Sequence, residues 1–311
     1  MRSTVQATVV VPHLNQADAL EACLKSLDAQ TLDRRLFEVI VVDNGSGELP
    51  VAVVARHPGV RLLQELRPGP GPARNLGIKT ASADVFCFID ADCRADPRWL
   101  ESALDALSVA PTHTVLGGDV QIWRDDPSRF TALEAYESVF AYRFKLYIER
   151  HGYSGTGNLV VRREDFERVG PFVGLEVAED VNWGQRARAA GLSFRYVPSM
   201  IVFHPARPNL RELFMKWDRH LQHELKAARG TRLWQFAWIA RAFLLLISPL
   251  VDLGKIAASN RLNGLMARIK AAVVLFAVRA YRAWRMLAML FRTGNVVWNR
   301  PSKAYSSNER G

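Results

Sequence analysis

Between residues 7 and 107, short continuous apolar runs alternate with stretches of helical periodicity. The runs at 7–11, 37–42, 60–63 and 84–89 are rich in Val, Ile, Leu and Phe and carry one polar or charged residue each, Thr8, Glu38, Arg61 and Asp84. A strand that is apolar on both sides must be covered on both sides, so it belongs inside a parallel sheet sandwiched by helices. The intervening segments supply the helices. Residues 16–29 place Ala19, Leu20, Cys23, Leu24 and Leu27 at helical intervals, 51–56 read as a short helix, and 72–80 and 97–107 each open on a proline suited to a first turn. The pattern predicts a doubly wound α/β sheet, in which ligands bind beyond the carboxyl ends of the strands. Those ends carry His13-Leu14-Asn15, Asp43-Asn44 and Asp90-Ala91-Asp92, so polar groups collect along one edge.

Further along, residues 130–150 read as one long helix, 151–157 as a Gly/Ser-rich turn and 158–162 as a strand. Residues 171–178 read as a loop, and 181–190 as a helix stopped by Gly191. Two short strands, 194–197 and 200–203, flank Pro198. From Asn209 the pattern is helical throughout, and the polar segment 302–311 is expected to be disordered. Charge marks the same division. The chain has 311 residues and a net charge of +10, but residues 1–206 hold 22 Lys and Arg against 26 Asp and Glu (net −4), and 207–311 hold 19 against 5 (net +14). The expected organisation is therefore an α/β domain over 1–206, a basic helical region over 207–301 and a tail over 302–311. A nucleic-acid binder would spread its cations over its own fold, so the segregated charge argues against nucleic acid as a partner. Three cysteines are too few for a disulfide framework and fit a reducing compartment, and the run at 8–11 is too short for a signal peptide.

Candidate chemistry sits on the strand ends. Asp90 and Asp92 follow a buried strand in a tight turn, where two carboxylates reach one site; such hard oxygen donors suit Mg2+ or Mn2+ bound together with substrate phosphate. Asp96-Pro97 already caps the next helix, which leaves the pair available. Asp43 is placed either to accept from a nucleotide hydroxyl or to close an Asx turn. Arg74 opens a helix after Gly69-Pro70-Gly71-Pro72 and offers a fork to phosphate. Glu179 and Asp180 precede a helix, as caps or, for one of them, as a general base. His204 ends a strand and is a further metal or diphosphate candidate.

Taken in order, these motifs resemble the inverting glycosyltransferases of family 2, which have the GT-A fold. The resemblance covers roughly residues 5–206. It rests on Val9-Val10-Val11-Pro12 with Asn15, on Val39-Ile40-Val41-Val42-Asp43-Asn44-Gly45-Ser46, and on Gly71-Pro72-Ala73-Arg74-Asn75-Leu76-Gly77. It continues through Asp90-Ala91-Asp92, Gly155-Thr156-Gly157-Asn158 and Glu179-Asp180 with Arg186-Ala187-Arg188-Ala189-Ala190-Gly191. It implies a mixed GT-A sheet with a Rossmann-like nucleotide-binding half, and a hexosyltransferase acting on a nucleotide sugar. By position, Pro12, His13, Asn15 and Asp43 would line the nucleotide pocket and Arg74 would lie near base or phosphate. Asp90 and Asp92 would form the D-x-D pair on Mg2+ or Mn2+, with His204 as a late metal contact. Gly157 and Asn158 would floor the acceptor site, and Asp180 would be the base with Glu179 beside it. Two positions depart from the family. His13-Leu14 replaces an aromatic after Pro12. Trp183 replaces an aliphatic residue and serves either the core or the face of an acceptor sugar. Phe214-Met215-Lys216-Trp217 is only a remote echo of the Gln-x-x-Arg-Trp signature of processive synthases, so a single addition is expected.

The basic third holds two apolar stretches, 233–253 and 264–291. On a helical wheel of the second, Arg268, Lys270, Arg279, Arg282, Arg285 and Arg292 share one half. Leu265, Met266, Ile269, Val273, Phe276 and Trp284 fill the other. That is the pattern of an interfacial helix. It predicts a peripheral enzyme on the cytoplasmic face of the membrane, acting on a saccharide or lipid-linked acceptor in cell-surface polysaccharide or glycolipid synthesis. The alternatives are helices packed on the domain or on another subunit, a sugar-phosphate nucleotidyltransferase with similar strand-end acids, and a non-enzymatic basic scaffold.

Overall fold

The computed structural model describes residues 5–174, 178–230 and 232–291. Arg292 and the segment 302–311 lie outside the described residues. The strands are β1 (Ala7–His13), β2 (Phe37–Asp43), β3 (Val60–Gln64), β4 (Val85–Ile89), β5 (Arg94–Ala95), β6 (Thr114–Trp123), β7 (Asn158–Arg162) and β8 (Ser193–Pro205). The helices of the first two thirds are α1 (Ala17–Asp28), α2 (Val51–Val54), α3 (Pro70–Thr80), α4 (Trp99–Ser108), α5 (Ala132–Phe140), α6 (Phe144–Leu146), α7 (Arg163–Val169) and α8 (Glu179–Ala189). Four helices follow: α9 (Leu210–Ala228), α10 (Trp234–Ile247), α11 (Pro249–Ala257) and α12 (Leu265–Ala288).

All strands join one sheet in the order β3-β2-β1-β4-β7-β6-β8-β5. The four N-terminal strands are parallel, as their two-sided apolar character requires. The sheet as a whole is mixed, because β7 runs antiparallel to both β4 and β6 and β5 runs antiparallel to β8. Alternate residues serve two cores. Val9, Val11, Val39, Val41, Cys87 and Ile89 pack with α1 and α4, while Val10, Ile40, Val42, Phe86 and Phe88 pack with α3 and α8.

Several elements differ from the sequence expectation, each for a local reason. Strand β1 runs on through Pro12 to His13. Its pairing with β4 stops at Val10, and beyond that it is paired on the β2 side alone, where a residue lacking an N–H is tolerated. Strand β6 was not expected, because Gly117-Gly118-Asp119 interrupts its β-forming residues. A Cβ at Gly118 would lie 2.1 Å from the Met200 carbonyl and 2.3 Å from Asn158 Nδ2, so only glycine fits there. The two strands around Pro198 are one strand. Gly118 pairs with Val197 and Asp119 with Ile201, so residues 198–200 bulge out of the ladder and Pro198 owes it no hydrogen bond. The helix expected over 130–150 is broken. Thr131 and Glu134 form a capping box that starts α5, but the chain leaves the helix at Ala141, and Tyr142 takes a left-handed φ of 46°. That break turns Tyr142 toward the end of β8.

The C-terminal helices share a core with α5. Phe130, Ala135 and Tyr136 pack with Leu213, Ile256, Ala271, Leu275 and Val278. Arg261, between α11 and α12, anchors on the edge of β6 through the Asp119 carboxylate and the Val120 carbonyl. The arginine half of α12 faces inward, contrary to its expected exposure. Arg279 pairs with Asp252 at 2.6 Å, Arg285 with Asp218 at 2.8 Å, and Arg282 is buried with its guanidinium 3.8 Å above the ring centre of Trp217. It is the apolar half, with Leu265, Met266, Ile269, Val273, Phe276 and Trp284, that is exposed.

Candidate active site

The carboxyl ends of β1, β2 and β4 open into a cleft of about 1080 Å3. At its β1–β2 end, Asp43 is fully buried and spent on its own turn. It accepts from Ser46 Oγ at 2.5 Å, from the Gly45 and Ser46 amides, and from His13 Nδ1 at 2.9 Å. Burial pushes its carboxyl up, but the Ser46 and His13 hydrogen bonds outweigh it and leave the group lowered. His13 Nε2 in turn accepts from the Gln16 amide at 3.2 Å. Asn15, with a left-handed φ of 52°, accepts from the Gly47 amide at 2.9 Å and ties the β1 loop to the β2 loop. Pro12, His13, Asn15 and Asn44 therefore line the cleft, while Asp43 supports it from below.

At the end of β4, Arg74 is the hub. Helix α3 buries its guanidinium, which donates to Asp90 Oδ1 at 2.6 Å and to Glu179 Oε1 at 3.3 Å. Three carboxylates thus meet around one cation: Asp90, Glu179 and, next to Glu179, Asp180. Gly157 lets Asp90 approach the backbone there, since a Cβ would lie 2.7 Å from Asp90 Oδ2 and push that carboxylate aside. Burial raises the Asp90 carboxyl, against the pull of Arg74. Asp180 occupies the first turn of α8. Burial first, and the Glu179 charge second, raise it to about 6. A carboxyl tuned toward neutrality in a cleft has the properties of a general base. Replacing Arg74 with Met leaves the three acids without their cation. The variant is expected to melt lower, because Glu179 loses a buried counter-charge, while Asp90, whose side chain is 39% exposed, recovers part of its loss from water. The Asp180 carboxyl should titrate higher in this variant, because Arg74 is one of the groups that lower it.

Asp92 faces His204. Its Oδ2 is 3.3 Å from His204 Nε2, while His204 Nδ1 donates to the Pro205 carbonyl at 2.7 Å and Tyr142 Oη lies 2.9 Å from Nε2. His204 Nε2 lies between the Asp92 carboxylate and the Tyr142 hydroxyl, so an ion bound through Nε2 would take the place of these contacts. Burial lowers His204, but the Asp92 carboxylate and the Pro205 carbonyl outweigh it and the group is raised overall. Asp90, Asp92 and His204 all line the cleft, and their carboxylate and imidazole donors are of a kind that Mn2+ accepts; among the described residues, the donors within 4.8 Å of one another are those of Asp92, Cys93 and His204.

Two expected acceptor contacts are corrected to core residues. Asn158 is fully buried. Its amide donates to the Asp119 and Met200 carbonyls, each at 2.8 Å, and accepts from Trp99 Nε1 at 2.9 Å, which leaves nothing for a ligand. Trp183 is buried against Phe166 and Phe172 and donates to the Gly170 carbonyl at 3.0 Å, away from the cleft. The far wall comes instead from α9, through Lys216, Trp217 and His220, and from Tyr142. Burial, then the Arg207 charge, lowers Lys216 to about 8. The Lys-Trp pair was the available signal. It is a weak one, because the segment lacks the Gln and Arg of the processive signature.

A mixed sheet with a strand-end carboxylate pair, facing a helix that opens on Glu-Asp, is the architecture of GT-A glycosyltransferases. The fold matches a mannosyltransferase from Pyrobaculum calidifontis solved with GDP-Man and Mn2+ (TM-score 0.55, 21% identity, 92% of this chain and 87% of that one). It also matches residues 1–349 of S. aureus TarS with UDP-GlcNAc (TM-score 0.51, 16% identity, 91% and 89%). The family model for glycosyl transferase family 2 matches residues 8–170. The glycosyltransferase AglE of Haloferax volcanii is 34% identical over 215 residues, 67% of this chain and 70% of the relative. The pre-mycofactocin glycosyltransferase of Mycobacterium tuberculosis is 30% identical over 215 residues, 66% of this chain and 44% of the relative. The chain belongs to glycosyl transferase family 2 and is a glycosyltransferase.

Proposed function

We propose that the enzyme transfers a sugar from a nucleotide-sugar donor to an acceptor hydroxyl with inversion, at the cytoplasmic face of a membrane, in cell-surface polysaccharide or glycolipid synthesis. The observation that carries the transfer reading is the Arg74 hub. It brings the Asp90/Asp92 pair and the Glu179/Asp180 pair to one cleft, with the loops after β1 and β2 forming a nucleotide-sized end. The solved neighbours that bind GDP-Man and UDP-GlcNAc support a donor of that class.

Pro12, Asn15 and Asn44 hold the nucleotide, and Arg74 fixes the orientation of Asp90. A divalent cation on Asp90, Asp92 and His204, when bound, neutralises the charge that develops on the departing diphosphate. Asp180 takes the proton of the acceptor hydroxyl, and the oxygen attacks the anomeric carbon on the face opposite the leaving group. Trp217 and Tyr142 give the acceptor an apolar wall, and Lys216 gives that wall a cation. A panel of sugar nucleotides tested with Mn2+ identifies the donor, because a ligand that binds only the folded form raises the melting temperature. Turnover is expected to release a nucleoside diphosphate. Release of pyrophosphate from a nucleoside triphosphate would mean a nucleotidyltransferase and overturn the reading.

The exposed apolar faces support membrane docking. Phe243, Leu244, Ile247, Leu250 and Val251 are exposed apolar residues on α10 and α11, and Leu265, Met266, Ile269, Val273, Phe276 and Trp284 are exposed on α12. The segment Trp234–Ala257 is long and apolar enough to cross a bilayer. However, Pro249 interrupts its hydrogen bonding, with Ser248 Oγ serving the Leu245 carbonyl instead, and Trp238 and Arg241 tie it to Met286 and Glu224. These ties favour a helix lying on the surface. Burying each Phe- or Leu-sized side chain contributes about 1.5–3 kcal/mol, so a few suffice to dock the protein. Because α12 turns its arginines inward, apolar insertion carries more of the binding than attraction to anionic lipid. The triple variant Phe243→Ser, Leu250→Ser, Phe276→Ser is expected to stop floating with vesicles, whereas the wild type stays bound at high salt. Release of the wild type by salt alone would sink the insertion reading.

A further inference from the structure

We propose that Cys93 adds a thiol to the cation site at the end of β4, so that Asp92, Cys93 and His204 form a three-donor site for thiophilic divalent ions such as Zn2+ or Cd2+. These ions would compete there with Mn2+ or Mg2+. The inference rests on the donor-cation reading above and extends it to which ions the site selects.

The donor atoms are already close. Asp92 Oδ2 is 3.3 Å from His204 Nε2, Cys93 Sγ is 3.7 Å from Asp92 Oδ1, and one ligand atom from each of the three residues lies within 4.8 Å of the others. Bonds of about 2.0 Å to nitrogen and oxygen and 2.3 Å to sulfur place tetrahedral ligands roughly 3.3–3.6 Å apart. His204 and Cys93 approach different oxygens of Asp92, so the three donors close on one ion by contracting from within 4.8 Å, with the Asp92 carboxylate turning one oxygen to both. His204 is held for ligation by its Nδ1 hydrogen bond to the Pro205 carbonyl at 2.7 Å. The turn that follows β4, with the Cys93 amide on the Asp90 carbonyl at 3.0 Å, fixes the thiol beside Asp92. All three cysteines are buried in the same core, but Cys93 also lines the cleft, whereas Cys23 and Cys87 do not.

A thiolate shifts the selectivity of such a site. Carboxylates alone suit hard ions, and a sulfur ligand favours softer ones. Binding replaces the thiol proton with the metal, and the proton passes to the buffer. The enzyme is therefore expected to be inhibited by Zn2+ or Cd2+ in the presence of excess Mn2+, through exclusion of the activating ion.

Cadmium titration of the full chain tests this by the ultraviolet charge-transfer band of a Cd–thiolate bond. Stoichiometric Cd2+ should produce the band in the wild type and in Cys23→Ser, Zn2+ should remove it, and Cys93→Ser and Cys93→Ala should both lack it. The inhibition constant for Zn2+ should rise tenfold or more in Cys93→Ser, about the effect of weakening a metal ligand. No band in the wild type, or an equal band in both folded Cys93 variants, overturns the inference. The two readings fail separately. Mn2+-dependent donor binding without a Cys93-dependent band removes only the thiol ligand. A Cys93-dependent band without metal-dependent donor binding removes only the donor-cation reading.

Discussion

Asp180→Asn is expected to lower kcat by about 10²–10⁴, the usual contribution of a positioned general base, with KM for the donor little changed. The substitution keeps the shape of the side chain and its hydrogen bond from the Val181 amide, so fold and cleft persist. Two further readouts separate this role from a structural one. In the wild type, activity should rise with pH through about 6 and level off above it, since only the ionised carboxylate accepts a proton. Stability should move the opposite way. A carboxyl raised in the folded state binds protons more tightly folded than unfolded, so its ionisation destabilises the fold as pH rises from the ordinary Asp range through about 6. Asp180→Asn should therefore melt above the wild type at pH 7, with the gap closing as the pH is lowered below 6. Near-wild-type turnover in this variant would remove Asp180 from the chemistry.

Asp92→Ala is expected to abolish Mn2+-dependent donor binding, with affinity falling about 10²-fold or more, the upper range for lost metal-site interactions. Asp92 both faces the proposed ion and opposes His204, so its removal takes one donor and leaves the second without its partner. The measurement is the donor-induced rise in melting temperature with and without Mn2+. The wild type should show a metal-dependent rise and the variant none. Equal donor affinity in the two proteins, with or without the ion, would count against the strand-end pair as the cation site. Donor binding that survives in Asp180→Asn but not in Asp92→Ala would assign the two ends of the cleft to different tasks.

Sequence reading succeeded where chemistry is local in the chain. Strand ends follow from where an apolar run stops, so the placement of Pro12, Asn15, Asp90 and Asp92 on one edge was legible, as was a helix opening on Glu179-Asp180. It failed where a residue type serves two purposes. Asn158 and Trp183 carry groups that can bind sugar, but the same groups can satisfy buried partners. Burial decides between these, and burial depends on elements far away in sequence: Met200 and Asp119 for the amide, Phe166 and Phe172 for the indole. Asp43 was expected in the nucleotide pocket; in the structure it is fully buried beneath the loop it closes and accepts from the Gly45 and Ser46 amides and the Ser46 hydroxyl, partners that the sequence alone does not reveal.

By itself, the sequence determined the α/β class, the acidic edge and the helical, basic C-terminal third, because periodicity and composition act over a few residues at a time. Only the tertiary structure decided three other features. It reversed β7 within the sheet. It broke the helix at Tyr142, bringing that ring to His204. It also turned the arginines of α12 inward, onto Asp218, Asp252 and Trp217, leaving the apolar half outside. A helical wheel gives two faces and not which one is covered. That choice falls to the partners: here, the buried Asp252 on α11 and the half-buried Asp218 on α9, which take the arginines as counter-charges.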